Sequence, residues 1–587
     1  MRTAVLAGLL LVLQSLAIAS AQTIARPSLP ERLPQRTRDA VPTCQAQRTC
    51  IINPVFATGM KCDGVTDDSA ALQIALNSAV SPGLGNAAVI MPPGTCTIDP
   101  GAHVSISSSL WLHGAGRFGT TLKRKDSSSG GFILLLSTNG VTLSDFGIDG
   151  NKGGPGVVDP ADSIGATTPV TDISIQRMRF LNATNSDISS RPGGSDFTVN
   201  WSITDSQFLN EGNFSCMVSF NCANILLDRP LYLRILRNRA DESQSFALFS
   251  SAPGAGQVDI SDNILTGVNG FGIALGGGLV GAAGATVHHN LISTTTTNPF
   301  NLIDLAFWND FTVDGNLLYH NGQATTQNAP NGCIADLPPA NHGAIDSNVC
   351  YVAAAHNINA AGIAVGGSDV SITNNYVQGA SSTGIGYTVA TPSHGVQIIG
   401  NTTKNNGQNP DGLRAGIEIY INPVSGNASA SDIIIQGNHS YDDQPHKTQA
   451  YGIGIALYGQ NTGLANIIVE GNNVSGNNVT GVINNAASVS GLVIRNNFGY
   501  NPIGVITAPT FPDGTGTVVT NTTGFDVTVY ITSGTNPINI AINGTTLTGV
   551  TVPGGHIVGP SIRLAANQNI TLTYMPGGTP TWQWVAD

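Results

Sequence analysis

Charge is scarce in this chain: Asp, Glu, Lys and Arg make up 10% of its 587 residues. So little charge argues against solvated helices and for strands, and the regular apolar spacing sets the chain apart from disordered ones. Basic residues thin out along the sequence, and after Glu242 only Lys404, Arg414, Lys447, Arg495 and Arg563 remain. Binding a phosphate backbone takes clustered Lys and Arg, so nucleic acid is not an expected partner, and a strongly polyanionic ligand along the second half is disfavoured. After residue 21 no apolar run reaches the roughly 18 residues of a membrane span, so no membrane partner is expected either.

The N-terminus does carry one apolar run. Met1-Arg2, the stretch Ala4 to Ile18 and Ala19-Ser20-Ala21 have the basic, apolar and small-residue parts of a secretory signal peptide over 1–21, which predicts export. The Pro- and Arg-rich segment 22–43 has no apolar face and is expected to be an extended leader. Eight cysteines, an even number in an exported chain, are expected to pair rather than catalyse. Proximity along the chain suggests Cys44 with Cys50, Cys62 with Cys96, Cys216 with Cys222, and Cys333 with Cys350.

What is abundant is repetition. A short apolar alternation ending in a polar residue returns thirteen times, at Asp145, Arg177, Ser206, Asn238, Asn263, Asn290, Asn316, Asn348, Asn374, Asn401, Asn438, Asn472 and Asn496. Period-2 alternation marks a strand with one buried face, and a unit this short buries a core only by stacking on its copies. Asn tolerates left-handed backbone and can hydrogen-bond to its copy one turn away, so it suits a recurring tight corner. A second strand follows each corner, as in NGFGIALGG, AAGIAVGG, RAGIEIYI and YGIGIALYG. At about 4.8 Å per turn the stack makes a rod on the order of 60 Å long. Ahead of it, Asp67, Asp68 or Ser69 can cap a short helix carrying Ala71, Leu72, Ala75 and Leu76 on one stripe, placed to cover the first edge. Residues 512–587 are expected to form a separate small β-sandwich, leaving 44–505 to the rod.

The run CDGVTDDSAALQIAL, followed by VIMPPGTCTI and LWLHGAGRFGTTL, resembles the N-terminal portion of pectate-lyase-like, right-handed parallel β-helix proteins, which include rhamnogalacturonases, polysaccharide lyases and uronate epimerases. The match is close over 60–125 and extends through the repeat to about 505. It implies an all-β solenoid, structural roles for Asp67 and Asp68, and a polysaccharide substrate lying along the strands that carry the Gly-Ile motif. The chain has neither the paired-Asp and Arg-x-Lys signatures of polygalacturonases nor the Asp-Pro-His-Asp motif of alginate epimerases, so the resemblance leaves the reaction open. The C-terminal segment resembles small β-domains appended to such helices and to phage tail proteins, which implies glycan binding or assembly, including homo-oligomers.

With Ile273, Ile303, Ile363, Ile417 and Ile455 aligned inward, Ala274, Asp304, Ala364, Glu418 and Ala456 face outward. Asp336, one turn from Asp304, is read as outward too, about 8 Å away, a spacing that suits the acid and base of an inverting glycoside hydrolase. Trp308 would be the sugar-stacking platform. Glu418 lies about four turns from Asp304, near 19 Å, so it forms a second candidate centre with Arg414, Tyr420 and His394. Asp241 and Glu242, beside Arg234, Arg237 and Arg239, are either a solvated ion-pair cluster or a calcium or uronate site of a lyase or epimerase. Otherwise no cofactor is expected. His288-His289 point opposite ways along a strand and make a poor chelate, and Asp442, Asp443 and His446 are expected in a loop. Hydrolase, lyase or epimerase, and a non-catalytic, tailspike-like glycan-binding rod are the competing functions.

Overall fold

The computed structural model describes residues 50–586 except 80–86, 103, 158, 210–222, 244, 277–280, 295–299, 322–331, 337–339, 354–360, 410–412, 422–427, 460–461, 487–488, 501–503, 507, 510–514, 525, 533–537, 553–560 and 576–579. The predicted signal peptide and leader, and the Cys44–Cys50 and Cys216–Cys222 pairings, fall outside the described residues.

The repeat builds a parallel β-solenoid of about 13 turns, mostly strand, with three sheets running its length. The first sheet carries the strands that precede each corner, such as Trp308–Asp314 and Ala430–Gln436. The second carries the short strands just after the corner, such as Leu317–His320, and the third the Gly-Ile strands, such as Arg414–Ile421. Stacked Ile and Val from all three fill one continuous core.

The corner divides between two residues, where the repeat alone suggests one. Ten asparagines, Asn238, Asn263, Asn290, Asn316, Asn348, Asn375, Asn401, Asn438, Asn472 and Asn497, stack inside the rod. In each step the backbone N–H and the Nδ2 of one Asn both donate to the Oδ1 of the next, at 2.8–3.1 Å throughout, as from Asn348 to Asn375. Each Nδ2 also donates to a backbone carbonyl, that of Asn348 to Val313 at 2.9 Å. The left-handed residue is the one before: Asp145, Arg177, Asp205, Arg237, Asp262, His289, Ser347, Asn374 and Asn496 have φ between 53° and 62°. Asn374 and Asn496 are therefore corner residues on the surface, and the ladder runs through Asn375 and Asn497. In the first turns the ladder position belongs to Phe146 and Met178, one residue past the expected Asp145 and Arg177. Because the corner residues point outward, unlike charges meet there one turn apart, as in the bidentate Arg177–Asp145 and Arg237–Asp205 pairs.

Both ends of the stack are covered. The helix Ser69–Ser78 buries Leu72, Ala75 and Leu76, and its Gln73 takes the place of a neighbouring strand for the edge at Ser105, accepting from Ser105 N and donating to Ser105 O. Asp68 precedes the helix, but its carboxylate accepts from the Lys61 and Cys62 amides, while Asp67 takes the amide and hydroxyl of Ser69. At the far end Asn567 Nδ2 donates to the Leu492 carbonyl, and Ile494 N to Gly524 O. From Gly504 onward two four-stranded antiparallel sheets close on a core of Val527, Val529, Ile538, Ile540, Leu572 and Trp584.

Disulfides join Cys62 to Cys96 and Cys333 to Cys350, the chemistry of an oxidising compartment. Among the described residues no helix is long and apolar enough to cross a membrane.

Candidate active site

The outer face of the third sheet presents one register column with Leu226, Leu248, Ala274, Asp304, Ala335, Ala364, Gly386, Glu418, Gly454 and Ile483 on successive turns. Asp304 and Glu418 are the two carboxyls in this column, four strand steps or about 19 Å apart, too far to act on one bond. The expected alignment shifts at its far end: Ile453 and Gly454, not Ile455 and Ala456, stand against Ile417 and Glu418. Ala456 is buried against the core, with a left-handed φ of 49°.

Asp336 is not outward. Ala335 stands against Asp304, so Asp336 falls one residue further, at the inward position. It is 1% exposed, and neither carboxylate oxygen makes a hydrogen bond. Burial raises its pKa well above the usual range; the Gly366 and Gly367 amides partly oppose this, and the charge of Asp304 adds to it. The Tyr387 hydroxyl, which donates to Ser393 Oγ at 2.6 Å, is itself pushed up to about 12 by burial, with the charge of Asp336 contributing. Asp304 and Asp336 thus occupy neighbouring turns but opposite faces of one sheet, and cannot flank a sugar between them. Trp308 is also internal: it is fully buried in the rod core, where the first-sheet strand Trp308–Asp314 begins. No face of its ring is open to a sugar.

Asp304 is 7% exposed, and its carboxylate accepts from Asn301 Nδ2 at 3.0 Å and from the Ala306 amide at 3.1 Å. Burial raises its pKa against those two donors. Glu418 is 3% exposed and held differently. The Thr383 hydroxyl donates to Oε2 at 2.6 Å, while Oε1 has no partner. Burial again raises the pKa, opposed by the Thr383 bond and the charge of Arg414. Arg414 and Tyr420 lie on the same strand, both half-buried, and Tyr420 shares the outer face with Glu418. His394 does not join them. It lies on the first sheet, 61% exposed and 3.3 Å from Asp369.

The arginine cluster is spread over two sheets. Arg234 projects from the first, Arg237 pairs with Asp205 at the corner, and Arg239 binds Asp241 within one strand of the second. Burial opposes ionisation of Asp241, but Arg239 and the Thr266 hydroxyl outweigh it and hold its pKa below the usual value. Glu242 is exposed in a left-handed conformation. Arg237 and Arg239 thus form ion pairs, and Asp241 and Glu242 belong to no group of three metal-ligating side chains close enough to share an ion among the described residues. Among the described residues, Cys62, Asp68 and Cys96 are the one group of three metal-ligating side chains close enough to share an ion, and both sulfurs are spent in a disulfide. His288 and His289 do not point opposite ways: their Nδ1 atoms are 3.2 Å apart, and each ring also faces an acid, Asp259 and Asp262 respectively. Asp442 accepts from the Gln444, Thr448 and Gln449 amides, shaping a turn, while Asp443 pairs with Lys404.

One buried acid of this sheet was missed. Asp162, in the strand Ala161–Ala166, is 8% exposed and also raised in pKa by burial, but it accepts from Ser186 N, Asn185 Nδ2 and Ser189 Oγ. Its strand lacks the Gly-Ile signature that located the others. Three donors occupy this carboxylate, whereas Glu418 keeps one buried oxygen without a partner.

No family model matches the chain, and no curated protein does. Solved structures share its architecture. The A-module of the Azotobacter vinelandii mannuronan C-5 epimerase AlgE6 is similar at 16% identity, covering 77% of this chain and 99% of that one, with a TM-score of 0.38. The catalytic unit of a GH87 alpha-1,3-glucanase from Streptomyces thermodiastaticus is similar at 15% identity over 78% and 70%, TM-score 0.40. A tailspike protein mutant of E. coli bacteriophage HK620, in complex with a pentasaccharide, is similar at 11% identity over 92% and 93%, TM-score 0.46. At these values none of them assigns a residue or a reaction to this chain.

Proposed function

We propose that this protein cleaves a polysaccharide seated on the outer face of the third sheet, with Glu418 as the proton donor to the leaving glycosidic oxygen. The observation that carries the reading is the state of that carboxyl. It is buried and biased toward its protonated form, one oxygen is anchored by Thr383, and the other is buried without a partner. A general acid needs that combination: a proton held near working pH, a fixed direction and an unoccupied oxygen to deliver it. The export that the N-terminal sequence predicts and the two disulfides fit an extracellular polymer as substrate. The test is reducing-end release from a panel of neutral and uronic polysaccharides. Wild type should act on at least one of them, and Glu418→Gln should lose turnover by about two orders of magnitude or more while still binding it. Full turnover by Glu418→Gln rejects the reading.

One observation favours a non-catalytic glycan-binding rod instead. A glycosidase places a second carboxyl within about 5–10 Å of its acid, and the column of Glu418 offers only Asp304, about 19 Å away. Binding without release of reducing or unsaturated ends on every polymer would support the rod. Of the arginines behind the lyase or epimerase alternative, Arg237 and Arg239 are engaged in ion pairs.

A further inference from the structure

One corner between the first and second sheets sets two histidines side by side. His288 ends the strand Ala282–His288, and His289 takes the turn that follows. Along a straight strand, neighbouring side chains project to opposite faces. The left-handed φ of 53° at His289 breaks that alternation, and the two Nδ1 atoms come to lie 3.2 Å apart. Two imidazole nitrogens bonded to one ion at about 2.0 Å are roughly 2.8–3.3 Å apart, from right-angled to tetrahedral geometry. The pair already has the bite of a chelate.

Its surroundings fit the same use. His288 Nε2 lies 3.2 Å from Asp259 Oδ1. A ring nitrogen facing a carboxylate carries the proton of the neutral imidazole, which leaves the Nδ1 lone pair of His288 for coordination; ligating histidines are oriented by such a carboxylate behind the ring. The other ring is seated by Gly315, the corner residue of the next turn, whose φ is 60° and whose added Cβ would stand 2.8 Å from His289 Cδ2. Acids flank the pair on both sides. Asp259 and Asp262 lie on the preceding turn, and Asp314 stands in register with His288 on the next, so their charges favour a cation here. Asp262 Oδ1, 4.0 Å from His289 Nδ1, is near enough to accept from a water on the ion. The side chains of His288 and His289 are 29% and 59% exposed, which opens the remaining coordination positions to solvent.

We infer that His288 and His289 form a surface site for a divalent transition-metal ion, bound through both Nδ1 atoms with water completing its shell. Imidazole donors suit Cu2+, Ni2+ and Zn2+, and of these Cu2+ should be held most tightly. The site lies away from the third sheet and does not depend on the role of Glu418.

The test titrates the full chain with Cu2+, followed by calorimetry and electron paramagnetic resonance. Each substitution borrows the residue that another turn carries at the same position, so that the corner keeps its fold: His289→Asn, as at Asn374, and His288→Ser, as at Ser261. Wild type should bind one Cu2+ equivalent more than either variant, and the signal of that equivalent should show two imidazole nitrogens. In Asp259→Asn its affinity should fall roughly tenfold or more, the order expected when the group orienting a ligand is lost. Equal stoichiometry and affinity in wild type and His289→Asn overturn the site, as does a wild-type signal with fewer than two nitrogens. Should both pair variants fail to fold, Asp259→Asn decides, and an unchanged affinity there overturns the site.

Discussion

Asn348 and Asp336 are buried in neighbouring parts of one rod to the same degree, yet their surroundings are opposite. Asn348 donates from Nδ2 to Asn375 Oδ1 and to the Val313 and Asp346 carbonyls, while its Oδ1 accepts from both the amide and the Nδ2 of Asn316. Neither oxygen of Asp336 has a well-formed hydrogen bond, and only the nearby Gly366 and Gly367 amides favour its charge. A buried polar group that is satisfied on all sides specifies structure, whereas one left unsatisfied carries a cost that the fold alone does not explain. Glu418 lies between these extremes, with one oxygen bonded to the Thr383 hydroxyl and the other buried without a partner. Its side chain is on the outer side of the sheet; that of Asp336 is on the core side.

The sharpest way to break the comparison is at the satisfied end. Asn348→Ala strands the Asn316 amide and Nδ2 together with the Val313 carbonyl, and should destabilise the rod by about 3 kcal/mol or more in denaturant unfolding. Trp308→Ala should cost a similar 3–5 kcal/mol as a core cavity; loss of glycan binding at unchanged stability would restore it as a platform.

At the unsatisfied end the sign reverses. Asp336→Val, matching Leu305 and Val365 at the same inward position, should stabilise by about 1–3 kcal/mol at neutral pH. The native state holds the Asp336 proton more tightly than the unfolded chain, so wild-type stability should fall as pH rises from the ordinary carboxylate range through its raised pKa, and be retained below it. In Asp336→Val that part of the slope should vanish; an identical pH profile would show the carboxyl to be satisfied after all. The smallest effect belongs to Arg239→Ala. Its exposed pair with Asp241 should be worth less than about 1 kcal/mol and leave glycan binding unchanged, and calcium-dependent loss of function would revive the metal site.

Much of this architecture was legible. Alternation before each Asn placed the strands, the Gly-Ile runs located the third sheet, and two of the cysteine pairs follow proximity along the chain. The failures have local causes. Asn374-Asn375 and Asn496-Asn497 are doublets, and sequence alone cannot say which member turns the backbone and which enters the ladder. The strand Ile334–Ala335 is too short to show an alternation, so the inward place of Asp336 was hidden, and a carboxyl in an apolar column runs against expectation. His394 follows a corner that carries the chain from the third sheet to the first.

The pH dependence of turnover tests the role of Glu418 most directly. As a proton donor it works while protonated, so kcat/KM should fall as pH rises through its raised pKa. The Thr383 hydroxyl stabilises the charged form, and Thr383→Val should therefore move that descending limb to higher pH. A limb that stays in place in Thr383→Val, with turnover intact, would contradict the assignment of Glu418 as the acid.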